Sequence, residues 1–115
     1  MKIFITENDR YNAFRTALLN IGRLVNIPDC DYKSNEELYN EIAIAGSPLI
    51  DPLNAYLHAY DKWFYFYKKI KNIEEETGEE YKLNNLEQNE LGSLVAARQN
   101  SLDTLQLKYD QLKNR

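Results

Sequence analysis

The sequence predicts an all-α fold, a small bundle of three to four helices dominated by a long antiparallel helical hairpin in its C-terminal half. Only 3 Pro and 4 Gly punctuate the 115 residues, and they fall where helices would start or stop, which favours a few long elements over many short strands. Apolar residues recur at alternating steps of three and four through most of the chain, the spacing of one helix face. Capping signals open each periodic run. A chain of this length buries a core without disulfides or metal and is too short for two cores, so residues 1–115 read as one helical domain.

The first helix is expected over residues 7–25. The Thr6 hydroxyl is placed to accept from the amide of Asp9, and Glu7 and Asp9 suit the positive end of the helix dipole. Its inward stripe reads Tyr11, Phe14, Leu18, Ile21 and Val25, with Ala17 and Leu24 alongside. Pro28 disfavours helical backbone at Ile27, so residues 26–33 form a loop. Ser34 and Glu37 then make a capping-box pattern for a short helix over 35–45, with Leu38, Ile42 and Ala45 on one face and Gly46 placed to end it.

Asp51-Pro52 predicts the start of the third helix, over 52–76, because Asp caps free amides and Pro fits the first helical position. Its seam is Leu53, Tyr56, Tyr60, Trp63, Tyr67 and Ile70. Thr77-Gly78 breaks it, and Asn84 with Glu87 caps a fourth helix over 85–113, whose seam is Leu91, Val95, Arg98, Leu102, Leu105, Tyr109 and Leu112. Two helices this long, joined by a short polar turn, run antiparallel and each spans roughly 40 Å at about 1.5 Å per residue. The first helix is too short to cover them, so part of the hairpin surface is left over.

Composition narrows the function classes. The net charge of −4 lacks the dense basic surface that nonspecific nucleic-acid binding needs, so a nucleic-acid partner is not expected. The opening Met1-Lys2-Ile3-Phe4-Ile5 is cut off by Thr6-Glu7-Asn8-Asp9-Arg10 before it can form the apolar region of a secretory signal. With a single Cys30 and hence no internal disulfide, a cytoplasmic location is expected. Asp51, His58, Asp61 and Lys62 interrupt the most aromatic segment, far short of the roughly 18 apolar residues of a membrane span. Plentiful Asn, Lys, Ile and Tyr match the usage of AT-rich genomes such as those of many phages.

No catalytic, cofactor or metal site emerges. His58 is the only histidine and has no Glu-x-x-His motif around it. Gly22, Gly46, Gly78 and Gly92 are isolated, outside any phosphate-loop pattern. Cys30 reads as a packed thiol. Gly92 is expected to admit a bulky aromatic of the third helix, and Arg98 to need an aromatic ring or a carboxylate, with Asp61 as the candidate. The protein is therefore read as no enzyme, with no cofactor and no small-molecule substrate.

The aromatic run is the unusual feature: Tyr56, Tyr60, Trp63, Phe64, Tyr65, Phe66 and Tyr67 fall in one stretch, five of them consecutive. Five successive helical residues sweep more than one turn and cannot all face one core. Either the helix is covered on several sides, or one aromatic face meets a partner. Lys62, Lys68, Lys69 and Lys71 form a basic band beside it, followed by an acidic tip of Glu74, Glu75, Glu76, Glu79 and Glu80. The candidate interaction surface is accordingly Trp63, Tyr65, Phe66, Lys68, Lys69, Glu75, Glu79 and Glu80. The expected function is protein–protein interaction or a structural subunit, as in a phage particle, through self-association or a protein partner. The alternative is a small inhibitor, encoded by a phage or mobile element, that blocks a host defence protein such as a nuclease.

Overall fold

Burying the aromatic seam of the third helix takes cover from two directions, and the chain supplies it from both ends. The structure, a computed structural model, describes residues 7–115. Four helices follow in order: α1 (Glu7–Leu24), α2 (Asn35–Ile44), α3 (Ile50–Thr77) and α4 (Asn85–Lys113), with a 3-10 turn at Cys30–Tyr32. The all-α fold is as the sequence predicts, and each expected boundary lies within two residues of the observed one. The expected cap at Thr6 lies outside the described residues.

The helices form two pairs, α1 with α2 and α3 with α4. Phe14, Leu18 and Ile21 of α1, Leu38 and Ile42 of α2, and Leu53, Tyr56, Tyr60, Trp63 and Phe64 of α3 share one continuous core. Tyr11, expected in the α1 stripe, is 52% exposed and lies off the packed face. Around the first turn of α2, Ser34 Oγ accepts from the Glu37 amide at 3.1 Å. The Glu37 carboxylate accepts from the Ser34 hydroxyl at 3.3 Å rather than from its backbone, so only half of a capping box forms.

α3 starts two residues before the predicted position. The buried Ser47 accepts from the Leu49 amide through Oγ at 3.1 Å and from the Ile50 amide through its carbonyl at 3.2 Å, which winds the chain before Asp51 is reached. Pro52 then falls in the third helical position, where its missing N–H still has no intrahelical acceptor to lose. At the far end Gly78, at φ 72°, takes the left-handed conformation and donates its amide to the Glu74 carbonyl at 2.8 Å. The capping box of α4 is complete: Asn84 Oδ1 accepts from the Glu87 amide at 2.8 Å, and the Asn84 amide donates to Glu87 at 3.1 Å. Tyr81 ties the turn to both helices, its amide donating to Glu74 at 3.1 Å and its hydroxyl to Glu87 at 2.9 Å.

Close helix approach occurs at a different glycine from the one the sequence suggested. Nothing lies within 4 Å of the place a Gly92 side chain would occupy, so that glycine admits no aromatic ring. A Cβ on Gly22 would instead meet Cys30 Sγ at 3.0 Å and Leu38 at 3.4 Å. Gly22 thus lets the loop after α1 fold back, with the buried Cys30 thiol donating to the Ile27 carbonyl at 3.0 Å. Arg15 fixes the same loop by donating to the carbonyls of Lys33, Cys30 and Asp31. Opposite signs follow for two substitutions that share a helix-propensity gain of about 1 kcal/mol. Gly92→Ala raises the stability measured by urea unfolding, by about that amount. Gly22→Ala lowers it by about 1–3 kcal/mol through overpacking; a stabilised Gly22→Ala variant contradicts this packing.

Candidate functional site

The rings of α3 and α1 form a connected train. Phe14 meets Tyr60 edge-on at 5.4 Å, Tyr60 meets Trp63 at 5.4 Å, and Trp63 meets Tyr67 at 4.7 Å between ring centroids. Such edge-to-face contacts add about 0.5–1.5 kcal/mol each to the area they bury. From α4, the Arg98 guanidinium lies 3.9 Å over the Trp63 ring. Arg98 therefore takes an aromatic partner and not Asp61, whose carboxylate is held bidentately by Arg10 at 2.5 and 3.1 Å. The hydrogen bond to Asp61 also pushes the Arg10 guanidinium above its ordinary value.

This packing decides where the predicted surface residues go. Trp63 is 6% exposed and Phe66 8%, so both rings lie inside and present no free face to a partner. Phe64 is buried and Tyr67 half-buried, which leaves Tyr65, at 64%, as the one ring of the consecutive five that points to solvent. Lys68, Lys69, Glu75, Glu79 and Glu80 are all exposed. The eight residues thus separate into a buried pair, of which Trp63 belongs to the shared core and Phe66 lies outside that cluster, and an exposed charged set with Tyr65 at one end.

A second feature had no motif to announce it. α1 and α4 both lean on α3 but hardly on each other, and between them runs an open groove of about 460 Å³. Its α1 wall is Asn12, Ala13, Thr16, Ala17 and Asn20; its α4 wall is Leu102, Leu105, Gln106 and Tyr109; Tyr56 and Ile21 form the floor. No carboxylate, amine, imidazole or thiol reaches into it. Burial pushes the Tyr56 hydroxyl above its ordinary value, with a smaller opposing influence from Arg98, so the floor is neutral at physiological pH. The one legible sign was the run Asn12, Thr16, Asn20 beside Ala13 and Ala17, small and uncharged at steps of four, on a helix whose other side carries the large residues.

The chemistry-bearing residues stay apart. His58 is exposed on α3, while Cys30 is enclosed beneath Gly22. Among the described residues no group of three His, Cys, Asp or Glu side chains is placed to hold a metal ion, and no helix is long and apolar enough to cross a membrane. Compared with protein-family models, curated proteins and solved structures, the chain matches none. What the fold defines is a helical bundle built on a hairpin, with an uncharged groove on one side and a charged helix face on another.

Removing the guanidinium tests the ring packing. Arg98→Ala exposes one face of the only tryptophan, so its fluorescence maximum shifts to longer wavelength, and stability falls by about 1–2 kcal/mol. Emission identical to that of the wild type means that Arg98 does not cover Trp63.

Proposed function

We propose that the protein is a non-enzymatic interaction subunit that receives an amphipathic helix of a protein partner in the groove between α1 and α4. The observation that carries this reading is the groove itself: an uncharged recess of about 460 Å³, floored by Tyr56, between two helices held apart by a third. Asn12 to Asn20 spans roughly 12 Å at about 1.5 Å per residue, a little over two helical turns. The low wall of Ala13 and Ala17 permits close backbone approach, and Asn12, Thr16, Asn20 and Gln106 offer hydrogen bonds along the rim. Leu102 and Leu105 complement apolar anchors at positions i, i+3 or i+4, and i+7 of an incoming helix.

A recess that takes up a helix suits a structural or adaptor subunit of a larger assembly, such as a phage particle. The reading is non-enzymatic because the hydroxyls that line the groove have no carboxylate, imidazole or amine in its lining to activate them.

Selection from a display library of amphipathic helices, with the wild-type chain as bait and Ala17→Phe as the counter-bait, tests the proposal. Ala17 lines the groove, and a phenyl ring there fills it. Selected helices are expected to shift backbone amide resonances in 12–20 and 102–109, and to bind the filled variant at least about tenfold more weakly, or ~1.4 kcal/mol. A library that yields no binder mapping to those segments overturns it.

A further inference from the structure

We infer that the outer face of α3 is a self-complementary surface that pairs with the same face of a second copy of this chain, antiparallel, about a two-fold axis at Asn72. Tyr65, Lys68, Lys69, Asn72, Ile73 and Glu76 line a shallow depression on that face. The face runs from basic to acidic along the helix, with uncharged Asn72 between. A two-fold axis through Asn72 reverses one copy against the other, so each basic end meets an acidic end.

The register is close. Lys69 lies three residues before Asn72 and Glu76 four residues after it, so across the axis Lys69 and Glu76 of the second copy differ by one residue, about 1.5 Å along the helix. Both sit on the same flank of the stripe, about 40–60° from Asn72 at roughly 100° per residue. A lysine side chain covers that offset. Symmetry makes the pair twice. Asn72, exposed on the axis, meets its own copy, and a side-chain amide can donate to and accept from another.

The charges at 69 and 76 have no use within their own helix. Lys69 has Tyr65, Phe66, Asn72 and Ile73 at three and four residues' distance, and Glu76 has Asn72, Ile73, Glu79 and Glu80. Lys71 and Glu75 by contrast form an i,i+4 pair at 3.8 Å. Among the described residues neither Lys69 nor Glu76 takes part in an ion pair, although both are exposed and share one depression. A face of this kind, used identically by both partners, gives a closed dimer. It involves a different side of the molecule from the groove, and stands whether or not the groove receives a helix.

Sedimentation of the full chain tests it. At about 10 mM ionic strength, where the Debye length is roughly 30 Å, the chain is expected to dimerise with rising concentration; at about 1 M, where it is roughly 3 Å, dimerisation weakens at least about tenfold. Lys69→Glu and Glu76→Lys each place like charges across the axis, so each variant alone is expected to be monomeric at concentrations where the wild type is dimeric. An equimolar mixture of the two restores opposite charges at both symmetry-related contacts and dimerises again. Both positions are exposed, and circular dichroism checks that the fold is kept. Ala17→Phe, which fills the groove, is expected to dimerise as the wild type does, so failure of one proposal is separable from failure of the other. A wild-type chain that is monomeric at low salt, a dimer that either single reversal leaves intact, or a mixture no more associated than its components overturns the inference.

Discussion

Trp63 has to be enclosed from two sides at once, and the rest of the architecture follows from how that is done. On one side its ring continues through Tyr60 to Phe14, which joins α3 to α1. On another, the Arg98 guanidinium lies over it at 3.9 Å and ties α4 to α3. The guanidinium suits this position because it stacks on a ring while its polar edge stays hydrated. One donor is left over: the buried Trp63 Nε1 has no hydrogen-bond acceptor among the described residues. An unmet indole N–H costs about 1–3 kcal/mol, which the surrounding edge-on rings and the cation above the face offset.

α1 shares its buried face between α2 and α3 while α4 lies along α3, so α1 and α4 hardly meet each other. α4 shows this most clearly, since Leu105 is its one buried residue among the described ones while Leu91, Leu94, Val95, Tyr109 and Leu112 are half-covered along the seam. A helix of 29 residues that leans on a single partner leaves one flank open. The groove is that flank closed on its far side by the small residues of α1. The charged stripe at Lys69 and Glu76 has the same origin, because it lies on α3 opposite the aromatic seam. Both surfaces are thus consequences of α3 being the shared core helix.

The helices were legible because their signals are local. The Asn84–Glu87 box, the Gly78 stop and the three-four spacing of Leu53, Tyr56, Tyr60 and Trp63 each act within one or two turns, and the structure contains all of them. What was not legible depends on which neighbour occupies a given side. Gly92 and Gly22 are alike in sequence, but only Gly22 has Cys30 and Leu38 against it. Asp61 was the carboxylate expected for Arg98, and Arg10 claims it instead because α1 meets α3 at that level. Phe66 looked available to a partner by its helical angle, yet it is buried. The Ser47 turn that starts α3 early is a short-range device without a sequence motif, masked by the stronger Asp51-Pro52 signal. The groove is a tertiary gap, and no periodicity within one helix encodes a gap between two.

Native-state hydrogen exchange, followed residue by residue, tests most directly whether α3 is the helix on which α1 and α4 separately depend. The amides of α3 from Tyr56 to Tyr67 are predicted to exchange only through global unfolding, while α1 and the C-terminal half of α4 open at lower free energy and independently of each other. Amides of α1 or α4 that outlast those of α3, or α1 and α4 opening together as one unit, would contradict the account.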